Sequence, residues 1–320
     1  MPEKSNTPHD DFFKKTFGRL DITRNFLQSY LPQNLREFVD FSELDPRPVS
    51  YAGKSSYYSD LLFKSNLDDK KYGVYFLFEH KSYNDRWSVM QIFNYLAKIW
   101  MREKRSKGVK NLSFIIPILF YHGGNGRLVI KNFADYFDQN IIEKYDLNRY
   151  LPDFEAVFYD FSNDSNLKLL GDRKVRLTLK FFMIAKIKDI KIVYEEIISY
   201  VISENSVDKD IFYLGVNYIA DSREEFDYYL LGEKLKLNGM KKEGDIVVSA
   251  ADKLRLEGLR IGEEKGEREL FKKLIRGNFP QTNEEIIHLI DKVDIKKIEE
   301  LSERISRIKN IKELEYYLKQ

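Results

Sequence analysis

Tyr75-Phe76-Leu77-Phe78-Glu79-His80-Lys81 is an apolar run that ends abruptly in an acid, a histidine and a lysine. Four consecutive large residues of high strand preference read as a strand, over 73–80. Upstream, Ser59-Asp60-Leu61-Leu62-Phe63 repeats the theme, with an acid at the polar end of a strand over 57–64. The polar stretch 65–71, carrying two aspartates, predicts a turn between them, so the pair is expected to form an antiparallel hairpin. Working outward, Phe12, Phe13, Phe17, Leu20, Phe26 and Leu27 recur at helical intervals and predict one helix over 9–30, stopped by Pro32. Asn84 or Asp85 is the expected cap of a long helix over 86–104, with Val89, Phe93, Leu96, Ile99 and Trp100 on its apolar side. The nearly continuous apolar stretch 112–121 predicts a strand buried on both faces. A helix over 133–143 and a strand over 156–161 follow, and from Asp172 onward the pattern is helical. The order of elements is that of an α/β fold, a mixed sheet flanked by helices and followed by a helical C-terminal region.

The 320 residues are 43% hydrophobic and 32% charged, enough to bury a substantial core. Two or three amphipathic helices over 172–231 are expected to complete a first domain, 1–236. A composition shift over 237–244 starts a charged helical tail, 237–320. Within the tail, Gly258, Gly262 and Gly266 recur every four residues, and each costs a helix about 1 kcal/mol relative to alanine. A solvated linker helix and a close helix–helix approach in a homo-oligomer both account for the spacing. Pro280 and a Thr282/Glu285 capping box introduce a small helical unit over 278–320.

Fifty-three Lys and Arg against fifty-one Asp and Glu leave a net charge of +2, so any nucleic-acid footprint is local. The absence of cysteine excludes disulfides and thiolate zinc sites. No apolar run follows the first residues, and none approaches the roughly 20 residues of a membrane span. A cytoplasmic protein without membrane association is expected.

Two carboxylates and one ammonium at strand ends form a minimal kit for metal-assisted hydrolysis of a phosphodiester. Glu79 and Lys81, two apart, point to one face of the strand, and His80 to the other. Hard oxygen ligands of this kind suit Mg²⁺ or Mn²⁺, which keep several waters and bind through one or two carboxylates plus substrate phosphate. Lys81 beside such an ion is placed to orient or deprotonate the attacking water and offset phosphate charge. Gln91 and Tyr95 share one face of the next helix and can point back at the strand ends. Further along lie Lys98, Arg102, Lys104, Arg105, Lys107 and Lys110, a local basic stretch of the kind a phosphate backbone needs. Taken singly these features have plainer readings. An acid in a strand commonly marks an edge, Tyr95 fits a core position, and a basic helix end satisfies the helix dipole. The joint pattern is the more specific signal.

Asp60, Glu79-His80-Lys81 and the Gln91/Tyr95 pair resemble the signature of the PD-(D/E)XK nuclease superfamily. More specifically, the chain resembles the Rpn family of recombination-promoting nucleases, which also carry a transposase label. That likeness rests on His9-Asp10, Phe12 to Lys14, Tyr30-Leu31-Pro32, Ser59 to Leu62, Glu79 to Ser82, Pro117, Tyr121-His122-Gly123 and the glycine-spaced tail. The resemblance implies a restriction-endonuclease-like sheet and Mg²⁺-dependent DNA endonuclease activity, with roles in recombination, transposition or phage defence. By position it makes Asp60 and Glu79 metal ligands, Lys81 the catalytic lysine and the His80 backbone carbonyl a further metal contact. Asp10 or Asp11 is the implied additional acid, and Ser59 stands where relatives carry proline. The alternative is a weakly cleaving or non-cleaving DNA- or protein-binding regulatory module on the same fold. His80 is expected to face the core, His122 to position a loop, His9 to cap the first helix or approach the site, and His288 to lie at the surface.

Overall fold

In the computed structural model of the protein, the described residues are 7–48, 61–67, 72–106, 108–123, 132–162 and 168–320. They form two compact units, Met1–Val248 and Ser249–Gln320. The first contains α1 (Pro8–Phe17), α2 (Leu20–Tyr30), α3 (Gln33–Arg36), β1 (Asp45–Arg47), β2 (Leu61–Leu67), β3 (Tyr72–Lys81) and α4 (Ser88–Glu103). It continues through β4 (Phe114–Tyr121), α5 (Gln139–Tyr145), β5 (Val157–Asp160), α6 (Arg173–Ile184), α7 (Ile190–Glu204), α8 (Lys209–Asp221) and α9 (Tyr228–Leu237).

The sheet order is β1-β2-β3-β4-β5. β1, β2 and β3 pair antiparallel, and β3, β4 and β5 pair parallel. The sheet is therefore mixed, and the hairpin of β2 and β3 forms as expected, with Leu61 registered against Phe78 and Leu62 against Leu77. Alternation along β3 sorts its side chains. Phe76 and Phe78 enter a large core with α1, α2, α6, α7 and α8, while Tyr75 and Leu77 pack with Ile92, Tyr95, Leu96 and Ile99 of α4. Helices thus cover both faces, and β3 and β4 are buried on each, which explains their uninterrupted apolar sequence.

The predicted single helix over 9–30 is two helices. Thr7 caps α1 by accepting the Asp10 N–H, and α1 ends at Gly18, where a Cβ would collide with the Lys14 carbonyl oxygen. Phe17, Ile22, Phe26 and Leu27 are all buried on either side of the break, so the apolar interval runs through it and hides it. α6 and α8 approach closely because Gly215 lets the Phe181 ring lie against the α8 backbone. Leu231, Leu235 and Val247 belong to the first unit's core, so chain beyond residue 236 helps to build that unit.

α10 (Lys241–Asn278) is continuous through Gly258, Gly262 and Gly266, where an added Cβ meets nothing within 4 Å. The second unit holds α11 (Glu284–Lys292), α12 (Ile295–Arg304) and α13 (Ile311–Lys319) around Phe271, Ile275, Ile290, Ile298, Leu301 and Leu314. The cap of α11 is Asn283, which accepts the Ile286 N–H, rather than Thr282, whose hydroxyl donates to the Phe279 carbonyl. None of the described helices is long and apolar enough to cross a membrane.

Candidate active site

β3 ends among polar groups on both of its faces. On the α4 face, Glu79 is 1% exposed and Lys81 7%. Lys81 Nζ donates to Glu79 Oε1 at 2.9 Å, to Asp85 Oδ2 at 2.9 Å and to Gln91 Oε1 at 2.6 Å. An ammonium has three protons, and all three are used. Burial opposes the charge on Lys81, but Glu79 and Asp85 beside it prevail and raise its pKa well above the usual lysine range. Lys81 is therefore a held cation, and it does not lose its proton near neutrality. Asp85 does two jobs. Its second oxygen accepts the Trp87 N–H at 2.9 Å at the start of α4. Burial pushes its carboxyl up, but the hydrogen bond from Lys81 outweighs this and holds it below the usual range.

Glu79 Oε2 is buried and has no hydrogen-bond partner among the described residues. An unpaired carboxylate oxygen in the interior is costly unless a cation or donor meets it. The oxygens gathered on Lys81 belong to a buried carboxylate, an aspartate and an amide, hard donors that suit Mg²⁺ or Mn²⁺ rather than a soft metal. Among the described residues no group of three metal-ligating side chains occurs. Asp60 immediately precedes Leu61, the residue registered against Phe78, and lies outside the described residues, as does Lys107.

On the opposite face, His80 Nδ1 lies 3.0 Å from Asp10 Oδ1, and His80 Nε2 lies 3.0 Å from His122 Nδ1. His9 Nδ1 meets the Tyr218 hydroxyl at 2.6 Å, and His122 Nε2 is 3.4 Å from both. Phe13 stacks on the His80 ring at 4.5 Å. Burial lowers the pKa of His80 despite Asp10, and burial with neighbouring His80 and Lys186 lowers that of His122 further. His9 is lowered from 6.5 to about 4, by burial first and then by Lys186. Burial raises the Asp10 carboxyl, but the bond to His80 reverses this and leaves it below its ordinary value. With Asp10 ionised and the rings neutral, one proton order satisfies the chain: His80 Nδ1–H donates to Asp10, and His122 Nδ1–H donates to His80. Burial also brings Lys186 down to about 8, and its ammonium donates to the Ser82 carbonyl at 3.2 Å.

The structure therefore brings Glu79, Lys81 and Gln91 together. Asp10 is engaged with His80 across the sheet from them, and Asp11 lies near Asp221 at the end of α8. Tyr95 is 6% exposed within the packing of α4 against the sheet. Arg102, Lys104 and Arg105 are exposed at the far end of α4, about 16 Å along the helix from Gln91. There Trp100 and Glu103 bond to Ser113, ahead of β4. The basic stretch sits at the other end of the parallel strands from Glu79 and Lys81. The expected cap of α4 is Asn84 or Asp85, but Trp87 holds that position with no side-chain cap bond, and Asp85 is instead a partner of Lys81. Its only sequence signal is its place four residues after Lys81 in a short strand-to-helix connection.

The family described as "Putative transposase, YhgA-like" matches residues 7–211, which hold the whole sheet, the Lys81 cluster and the histidine cluster apart from Tyr218. The chain belongs to that family. Among curated proteins, it is 24% identical to the inactive recombination-promoting nuclease-like protein RpnE of Escherichia coli K12, over 83% of this chain and 87% of that one. It is 30% identical to the recombination-promoting nuclease RpnA of the same strain, over 38% of this chain and 42% of RpnA. Identity to the recombination-promoting nuclease RpnD of E. coli O157:H7 is 29%, over 37% of this chain and 46% of RpnD. The chain thus spans less than half of RpnA and of RpnD. No solved structure matches. Within this YhgA-like family member the matched part holds the sheet and the helices from α1 to α7, while most of α8, all of α9 and the Ser249–Gln320 unit lie beyond it.

Proposed function

We propose that this chain is a divalent-metal-dependent DNA endonuclease of the PD-(D/E)XK type, hydrolysing phosphodiester bonds in recombination, transposition or phage defence. The observation that carries the reading is the buried, unpartnered Glu79 Oε2 beside a fully charged Lys81. The names of RpnA and RpnD agree with it. Glu79 and Asp60 would hold Mg²⁺ or Mn²⁺, with the His80 carbonyl as a further contact. The ion supplies charge stabilisation for the phosphate and acidifies water.

The chain's own part is electrostatic and positional. Lys81 stays protonated, so its role is to bind a phosphate oxygen rather than to remove a proton. To do so it must give up one of its three partners. Gln91, the neutral one, costs least to release and would then be free to orient a water. Glu79 keeps Lys81 aimed along the strand end throughout.

A second reading is favoured by that same saturation of Lys81: a weakly cleaving or non-cleaving DNA- or protein-binding module on the same fold, and the name of RpnE carries an inactive label. Purified protein incubated with supercoiled plasmid and Mg²⁺, beside Glu79→Ala and Lys81→Ala, separates the two. Nicking that chelator and both substitutions abolish supports the nuclease. Salt-sensitive DNA binding without nicking under Mg²⁺ or Mn²⁺ replaces it with the second reading. Nicking that survives both substitutions refutes this site.

A further inference from the structure

The connection between β3 and α4 carries two large rings that the packing leaves in solvent. Tyr83 is 61% exposed and Trp87 53%, and they flank Asp85, whose carboxylate holds Lys81. Trp87 is held in place without being covered. It stacks nearly parallel on Tyr136, with ring centres 5.2 Å apart at 12°. Tyr136 is pinned in turn: its hydroxyl donates to the Arg86 carbonyl at 2.8 Å and accepts the Met90 N–H at 3.1 Å. The Arg86 guanidinium carbon lies 5.6 Å from the Trp87 ring centre. Lys81 Nζ lies 6.0 Å from the centre of the Tyr83 ring, so that ring stands at the mouth of the cluster formed by Glu79, Lys81, Asp85 and Gln91.

We propose that Tyr83 and Trp87 form a stacking platform for an unpaired nucleobase beside the phosphate bound at Glu79 and Lys81. The preferred substrate is then DNA with an unpaired nucleotide at the cleavage point. The inference rests on the nuclease reading for its phosphate and deepens it by naming the substrate class. Its physical basis is access. A base inside a duplex has both faces covered by its neighbours, whereas an unpaired base offers a free face to an aromatic ring. Such stacking tolerates any base, because every base has a π-face, and Arg86 beside Trp87 adds a cation to the same surface. Lys81 Nζ and the Tyr83 ring centre, 6.0 Å apart, are close enough for a single nucleotide to touch both. Docking of the loop onto the Tyr136 segment accounts for the Trp87 stack. It does not account for Tyr83, whose ring has the held ammonium of Lys81 beside it and solvent over most of its surface.

The test uses the full chain and three labelled substrates with Mg²⁺: a duplex, the same duplex with a short central mismatch bubble, and the single strand. The bubble and the single strand are expected to be cut about tenfold faster than the duplex, the value of one base–aromatic stack. Tyr83→Ala and Trp87→Ala should each bring that ratio down about tenfold; both positions are exposed, and a thermal melt checks folding. Binding is read separately, in chelator, from tryptophan emission on adding a single-stranded oligonucleotide. The chain has two tryptophans, so the difference between wild type and Trp87→Phe isolates Trp87, which should be quenched. Equal cleavage of duplex and bubble, unchanged in both variants, overturns the platform and leaves the nuclease standing. Quenching of Trp87 without cleavage of any substrate upholds the platform and removes the nuclease. Neither quenching nor cleavage overturns both.

Discussion

On one face of β3, Glu79 and Lys81 are bonded to each other, with Asp85 and Gln91 completing the shell of the ammonium. One residue away on the other face, His80 is uncharged and passes its hydrogen bonds to Asp10 and His122. Both faces are buried, yet they solve burial differently. The α4 face pairs its charges around a single ammonium and leaves one carboxylate oxygen open to a ligand. The α1 face removes charge from its rings and shares protons along a chain. A charge kept in the interior without full satisfaction is expensive, and the face that keeps it is the one on which the proposed function rests.

Three substitutions or titrations can break or sharpen that contrast. Glu79→Gln keeps the shape but removes the charge that a divalent ion would meet. Mg²⁺-dependent nicking should fall on the order of 10³-fold, since such an ion supplies several kcal/mol of stabilisation. A residual rate within tenfold of wild type would show that the α4 face does not use its open oxygen. Next in size, Lys81→Met strands Glu79 and Asp85 without their shared cation. Unfolding by denaturant should show a loss of about 3–5 kcal/mol, as for a broken buried pair. A loss below 1 kcal/mol would mean that solvent, not the ammonium, satisfies those carboxylates.

The third is pH. His9 has a folded pKa of about 4 against 6.5 unfolded, so the unfolded chain binds the extra proton between these values. Its contribution is present above 6.5 and is lost as pH falls toward 4, amounting to about 3 kcal/mol for the one group. His80 and His122 act in the same direction. Lys81 titrates far above this window and Asp85 below it, so neither contributes across it. Lys186, at about 8, is already charged there. Stability measured from pH 7 to 4.5 should therefore fall steeply, and His9→Gln should flatten the slope. An unchanged slope in that variant would place the acid sensitivity elsewhere.

Much of the fold is legible locally. The apolar runs of β3 and β4 announce double-sided burial, and the heptad-like spacing in α4 announces a helix with one apolar face. Glu79, Lys81 and Gln91 could be grouped because pleat and helix periodicity place them on facing surfaces. Other features had no local signature. The break at Gly18 sits inside an unbroken apolar interval, and Asn283 and Thr282 are equally good caps by composition. Tyr95 carries the same helical register as Gln91, yet its ring packs in the core while Gln91 reaches Lys81.

What the sequence determined by itself was therefore the central strands and the long helix after them, the two faces of β3 and the chemistry gathered at its end, because periodicity is a property of neighbouring residues. Tertiary structure decided which partners those faces meet. His9 reaches Tyr218 across 209 residues and His80 reaches Asp10 across 70. Asp10 was thereby drawn to a histidine rather than to Glu79, because the packing of α1 against one side of the sheet fixes which face its first turn can touch. Contacts of that range depend on how layers stack, and no local spacing encodes it.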